Sequence, residues 1–396
     1  MERRPLVIIG SGPAGTATAL FLQAQDRRLA GEVVVLEKAR HPRVKVCAGG
    51  LIPHTLDCLR ELDIPLSVPN VSVCGAQVTV PGRSVAYRGP ELCRVVRRDE
   101  FDHALVVACR ERGIEVREGE KVSSLTRQPD GIRIQTERGA YLARAVVGAD
   151  GSGSLVRRQL VAAAGTHVGK AVMCDVPVGS VDWRGFAERR YDFSFAAVPQ
   201  GLRGYLWAFP CLVGGVPHVN VGAYSVGAAG VGKRLHALLD AELTRLQAPG
   251  VARQSFPIRW YARGTAVAAP HVMLAGDAAG VDPLMGEGIS FAFEYGRRAA
   301  AAALRAIATQ DFTFADYAAA VHTSWMGRKL RRLNLATRLF YGRSWRLWFA
   351  VAARSERARE IGLRWYNGVD GWDRRSGWEA LRAWRRGVAP PAMERT

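Results

Sequence analysis

The stretch PLVIIGSGPAG, close to the start of the chain, constrains the fold more than any other. An apolar run enters a glycine turn, and TATALFLQAQ continues it with helical spacing. Gly10, Gly12 and Gly15 stand as GxGxxG, with Pro13 and Ala14 between the last two. In a strand–turn–helix of this kind the first glycine permits the tight turn. The second lets a pyrophosphate approach the backbone, and the third lets helix and strand pack closely. The helix start then offers unpaired N–H groups and positive dipole to phosphates. The following strand, GEVVVLEK, completes a βαβ unit and ends on Glu37 and Lys38, where an acidic residue can accept from ribose hydroxyls. We therefore expect an α/β protein with a Rossmann-type dinucleotide-binding domain.

The rest of the chain interleaves helix and strand patterns. RRDEFDHALVVACRERG has helical spacing, with Asp99 as N-cap and Gly113 as stop. Four strand-like runs follow between Ile114 and Val147. Residues 165–262 alternate aromatic and glycine-rich positions, which predicts an antiparallel sheet. A strand, HVMLAGDAAG, then precedes a long helix from about Gly288. No internal repeat or low-complexity linker separates these parts. We expect a discontinuous nucleotide-binding domain (1–75, 95–164, 265–320), a substrate domain built on the antiparallel sheet (76–94, 165–264), and a helical extension (321–396).

Charge and composition narrow the function. The net charge is +19, and residues 321–396 contribute 17 Lys+Arg against six Asp+Glu, together with seven of the ten tryptophans. A basic, Trp-rich region suits an anionic membrane surface. No zinc-finger or RNP signature accompanies it, so a nucleic-acid partner is not expected. No apolar run reaches the length of a membrane span, and no basic-then-apolar leader opens the chain. Seven scattered cysteines fit reduced thiols rather than a disulfide framework. We expect a cytoplasmic protein that can rest on the inner face of a membrane. With no HExxH and dispersed histidines, no metal site is expected; GAAGVGKR (227–234) has Arg234 where a phosphate-binding loop needs Ser or Thr, and reads as a turn.

Two further motifs specify the dinucleotide. GADGSGSLVRR (148–158) contains Asp150, and MLAGDAAGVDPLMGEGIS (273–290) contains Gly276, Asp277, Pro283, Gly286, Gly288 and Ile289. With the GxGxxG they resemble the three fingerprints of FAD-dependent oxidoreductases of the p-hydroxybenzoate-hydroxylase-like fold. That resemblance implies FAD, with Arg98 reaching its phosphates and Asp277 holding the ribityl chain. Independently, PLMGEGIS puts glycines at a helix start, where N–H groups and the helix dipole can face the negative charge of a reduced flavin.

Within this fold the chain is most similar to the geranylgeranyl reductase family. The similarity spans roughly residues 1–340 and rests on PRVKVCAGG, VVRRDEFD, YLWAFP and GDAAGVDPLMGEGI. It implies that Tyr205, Trp207, Phe209 and Pro210 line a lipid cavity, and that Cys47, Gly49 and Gly50 form the family's Cys-Gly-Gly element at the reactive face of the flavin. Ala48 departs from the usual glycine there. The implied activity is saturation of carbon–carbon double bonds in a polyprenyl chain, on a lipid or a prenyl diphosphate. A flavin-dependent monooxygenase of an aromatic or isoprenoid substrate is the alternative. NADPH or a ferredoxin could supply the electrons. A thiol is mostly protonated at neutral pH, so Cys47 could relay a proton to an alkene or orient it; packing alone is the competing role.

Overall fold

The computed structural model describes residues 1–161, 167–227 and 231–354. The chain opens with β1 (Glu2–Ile9), α1 (Pro13–Gln25) and β2 (Val33–Glu37), then β3 (Gly50–Leu51) and α2 (Pro53–Glu61). A long hairpin, β4 (Asn70–Val80) and β5 (Arg83–Val96), precedes α3 (Arg98–Glu111). The four runs read from sequence become β6 (Glu115–Glu118), β7 (Val122–Gln128), β8 (Gly131–Thr136) and β9 (Ala140–Gly148), followed by α4 (Leu155–Leu160). Next come β10 (Val168–Pro177), β11 (Arg190–Ser194), β12 (Gly204–Val213), β13 (Val216–Ser225), α5 (Val231–Arg245) and β14 (Gln254–Arg259). The short strands β15 (Ala268–Ala269) and β16 (Val272–Leu274) lead into α6 (Ile289–Thr309), α7 (Ala315–Thr323), α8 (Trp325–Phe340) and α9 (Trp345–Arg354).

These elements form two sheets. The first runs β15-β16-β9-β1-β2-β6, with β8 joining β9 and β7 joining β8. Its central strands pair in parallel, which puts the ends of β1, β2 and β9 side by side. All five residues of β2 are buried, as expected of a parallel strand covered on both faces. Helix α1 is buried along most of its length and packs against α6. Small residues permit that approach: a Cβ on Gly296 would stand 2.7 Å from the Thr18 nitrogen.

The second sheet runs β14-β10-β13-β12-β11-β4-β5-β3. Its strands are antiparallel neighbours except β11 and β4, which pair in parallel. The hairpin Asn70–Val96 belongs wholly to this sheet, so the sheet takes a wider segment than the 76–94 read from sequence. Strand alternation gives it two unlike faces. One buries Val172, Val219, Val221 and Ala223 against Leu235, Leu239 and Leu243 of α5. The other carries the aromatic residues of β11, β12 and β13 toward the first sheet's core.

Helix α3 begins at Arg98, so Asp99 lies inside its first turn and does not cap it. Gly113 has φ +78° just beyond that helix, the left-handed conformation that suits a helix stop. The helices of the extension are tied to the body. Tyr317 donates to the Leu274 carbonyl at 2.6 Å, and Asn334 to the Tyr261 carbonyl at 2.6 Å. On α9, Phe349 is buried against Phe195, Phe340 and Trp345. The remaining tryptophans of that region, from Trp365 onward, lie outside the described residues. Among the described residues, no helix is long and apolar enough to cross a membrane.

Candidate functional site

The turn between β1 and α1 shows why each glycine is needed. Gly10 has φ +104°, and a Cβ there would stand 2.4 Å from the Ala149 carbonyl oxygen. A Cβ on Gly15 would meet the Gly10 carbonyl oxygen at 1.9 Å. Gly12 differs: its backbone is ordinary (φ −71°), and a Cβ would meet nothing nearer than the end of the Arg43 side chain, at 3.4 Å. Pro13 and Ala14 open α1, which has no side-chain cap and no acidic residue in its first turn. The cradle is therefore bare backbone at a helix N-terminus, the arrangement that receives a pyrophosphate.

Glu37 ends β2 beside this turn. Its Oε2 accepts from the N–H and the hydroxyl of Ser11, each at 3.0 Å, and its Oε1 accepts from the Ala39 N–H at 2.9 Å. Burial works against its charge, but these N–H groups and Arg43 outweigh it and hold its pKa below the usual carboxylate value. His41 Nε2 lies 2.7 Å from the Ser11 hydroxyl. Lys38 is exposed just past the strand. Arg98 is buried and holds Asp102 with two bonds, at 2.8 and 2.9 Å. Burial disfavours its charge, but Asp102 more than compensates and raises its pKa. Arg43 reaches the same carboxylate at 3.3 Å, while its buried Nε stands 3.8 Å from Glu37 Oε2 and has no hydrogen-bond partner. Arg43 thus stands at the glycine turn and shares Asp102 with Arg98, which brings guanidinium charge to a site suited to a diphosphate.

The second and third motifs close on the first. Gly276 (φ +60°) packs so tightly that a Cβ would stand 2.8 Å from the Ala14 Cβ. Asp277 accepts from the Ser152 hydroxyl at 3.0 Å, and its other oxygen lies 3.5 Å from where a Gly288 Cβ would be. Gly288 is the N-cap of α6 and Ile289 its first residue. Ser154 caps α4, and Asp150 accepts from the first-turn N–H groups of Leu155 (2.6 Å) and Val156 (3.2 Å), its Oδ1 buried without a hydrogen-bond partner. Three tyrosines pin three consecutive carbonyls of the loop before α6. Tyr224 donates to Pro283 at 3.1 Å, Tyr341 to Leu284 at 2.8 Å, and Tyr205 to Met285. Gly286 turns this loop at φ +67°. Beneath it Asp282 accepts from the Leu284 and Met285 N–H groups, at 2.7 and 3.1 Å, and burial pushes its pKa up to about 7.

The Cys47 segment runs alongside. The Gly49 N–H points at the Cys47 sulfur, 3.3 Å away. Gly49 (φ +80°) presses on β5, where a Cβ would stand 1.9 Å from the Val96 oxygen. A Cβ on Gly50 would touch the Phe209 ring at 3.3 Å. Tyr205, Trp207 and Phe209 alternate along β12 and share the inward face; the Trp207 indole donates to Asn220 at 2.7 Å. Phe209 stacks on Tyr191, and Phe193 stands edge-on to both Tyr205 and Phe209. Pro210 corrects the expectation for that motif. It pairs with Val219 and, by alternation, lies on the α5 side of the sheet, so it is not part of this wall.

Several residues at the site were not singled out from sequence. Arg43 and Lys45 stand within PRVKVCAGG, whose alternating cations were visible but had no assigned partners. Lys45 Nζ sits 3.2 Å above the Phe256 ring, and burial pulls its pKa down to about 8 despite Asp277. His54, Cys58 and Glu294 bring one ligand atom each to within 4.8 Å of one another. Arg297 also bonds Cys58 at 3.3 Å, and Arg298 pairs with Glu294. Cations already occupy these groups, so the cluster ties α2 to α6 and is poorly suited to a metal ion.

Comparison with known proteins adds to this geometry. A family profile described as FAD binding domain matches residues 3–211. A menaquinone reductase of Mycolicibacterium smegmatis is 30% identical over 324 residues, covering 75% of this chain and 76% of the relative. A geranylgeranyl bacteriochlorophyll reductase-like structure from Thermoplasma acidophilum superposes with TM-score 0.67 at 23% identity, covering 85% and 84% of the two chains. The flavin-dependent brominase Bmp2 superposes with TM-score 0.73 at 20% identity, over 98% of each chain. These last two show a shared fold.

Proposed function

The chain belongs to the FAD-binding domain family and is an FAD-dependent oxidoreductase, and we propose that it saturates carbon–carbon double bonds of a polyprenyl chain. The observation that carries this reading is the meeting of the bare Gly50 backbone with the aromatic wall at Phe209, three residues after Cys47. An apolar chain gains from burial against Tyr205, Trp207 and Phe209 without needing a polar partner. The resemblance of a structural neighbour described as geranylgeranyl bacteriochlorophyll reductase-like supports the same substrate class.

The bound FAD supplies hydride transfer. The protein's own groups do the rest. Gly10, Gly12 and Gly15 with α1 receive the diphosphate, Arg43 and Arg98 neutralise it, and Glu37 accepts from the ribose. Asp277 and the N-terminus of α6 hold the flavin end. The aromatic wall excludes water and orients the alkene. Cys47, whose sulfur the Gly49 N–H approaches, is the group we assign to relay the proton. NADPH or a ferredoxin supplies the electrons. The alternative is an FAD-dependent monooxygenase of an aromatic or isoprenoid substrate. Anaerobic stopped-flow separates the two. Reduced enzyme mixed with a prenyl diphosphate or prenylated lipid should recover the oxidised flavin spectrum without oxygen. Recovery that needs oxygen, with one O₂ consumed per product, would move the assignment to the monooxygenase.

A further inference from the structure

We propose that the outer faces of α8 and α9 form a docking surface for an anionic lipid bilayer. From Trp325 to Arg354 the chain has seven arginines, one lysine and no acidic residue. Arg328, Arg331, Leu335 and Arg338 follow one another at intervals of three or four along α8, so they share one stripe, and all four are exposed. Leu335 is 56% exposed in the middle of that stripe. On α9, Leu347 is 43% exposed, with Arg343 and Arg346 exposed near it. Arg328 and Arg331 donate to the backbone carbonyls of Thr323 and His322. Among the described residues none of these five arginines pairs with a carboxylate.

Exposed leucines ringed by arginines that have no carboxylate partner fit one kind of partner best. Arginines meet anionic headgroups, while leucines enter the boundary of the acyl chains. Nucleic acid would use the cations but leave the leucines in water, since base binding relies on aromatic stacking. A second copy of the face would bring like charges together. Residues 355–396 are themselves net basic, with nine Lys+Arg against six Asp+Glu, and offer no better complement. The inner side of the same helices meets the aromatic wall. Phe349 packs on Phe195 at 5.6 Å between ring centroids, and Phe195 lies 5.7 Å from Tyr205. A bilayer held there could pass an apolar chain to that wall, and this clause alone rests on the reductase reading.

Vesicle flotation tests the surface without reference to turnover. The probes are phosphatidylcholine vesicles alone and with about one third phosphatidylglycerol. The full-length FAD-loaded protein should float with the anionic vesicles and not with the neutral ones. Raising salt from about 0.1 M to 1 M, which shortens the screening length from ~10 to ~3 Å, should release most of it. Each arginine near such a surface contributes roughly fivefold in affinity. Arg338→Gln with Arg343→Gln should therefore weaken binding about 25-fold, and Leu335→Asn several-fold, with flavin absorbance and melting midpoint unchanged. Equal flotation with neutral vesicles would overturn the proposal. So would wild-type binding by the folded double variant, or a concentration-dependent dimer that ignores vesicles. If a variant loses its flavin, the salt response of the wild-type protein still decides.

Discussion

Substituting the glycines of the β1–α1 turn one at a time should separate folding from cofactor binding. At Gly12 the backbone is ordinary, and an added Cβ would meet only the end of Arg43 at 3.4 Å. Alanine is a poorer N-cap than glycine, by up to about 1 kcal/mol, and reduced freedom in the unfolded chain offsets about 0.4–1 kcal/mol of that. The apo-protein of Gly12→Ala should thus melt within a few degrees of wild type. Its FAD affinity should fall sharply, because the methyl group occupies the pyrophosphate's approach. Losing one or two backbone bonds to a charged group costs about 1.5–3 kcal/mol each, so the dissociation constant should rise roughly 10- to 10⁴-fold. Gly15→Ala should do the reverse. Its Cβ would stand 1.9 Å from the Gly10 oxygen, which forces α1 off β1 and costs upwards of about 3 kcal/mol. Differential scanning calorimetry of the apo-proteins and FAD titration by flavin fluorescence read the two effects separately. Wild-type FAD affinity in Gly12→Ala would refute the assignment of that turn to the diphosphate.

Three more outcomes follow from other parts of the site. Cys47→Ala should keep the bound-flavin spectrum and accept electrons, yet lose most double-bond reduction; unchanged turnover would reduce the thiol to a packing role. Burial opposes charge on His54, but its bonds to Cys58 and Glu294 outweigh this and raise its pKa to about 9. Its ordinary value is near 6.5, so the stabilisation is complete below about pH 6.5 and disappears as pH rises through about 9. His54→Gln should flatten stability over that window, removing on the order of 2–3 kcal/mol at its acid end in urea melts; an unaltered pH profile would contradict the His54–Glu294 pair. Tyr205→Phe leaves the Met285 carbonyl without its donor, at about 1–3 kcal/mol, and should lower both the melting midpoint and FAD affinity through the loop before α6.

The sequence made the nucleotide-binding half legible because its signals are local. Gly10, Gly12 and Gly15 fall at fixed spacing within one strand–turn–helix, and the unbroken apolar run of β2 announces a parallel strand. The inward face of β12 was likewise readable from alternation. Pro210 was misplaced because it was taken with its motif, although the same alternation puts it on the opposite face. Asp99 failed as a cap because Arg98 is drawn into the helix by its bonds to Asp102, one turn on. Contacts across the chain left no local trace. His54 and Glu294 are 240 residues apart, and the three tyrosines that hold carbonyls 283–285 come from β12, β13 and the end of α8. The parallel pairing of β11 with β4, which joins the Asn70–Val96 hairpin to the rest of the sheet, is a tertiary outcome of the same kind.

The reductase reading is tested most directly by product mass. The FAD-loaded protein is reduced without oxygen, mixed with a prenyl diphosphate or prenylated lipid, and the extracted product is weighed by mass spectrometry. The account predicts product heavier than substrate by two hydrogens for each double bond removed, formed in the absence of air. Product that forms only in air and is heavier by one oxygen atom would contradict it.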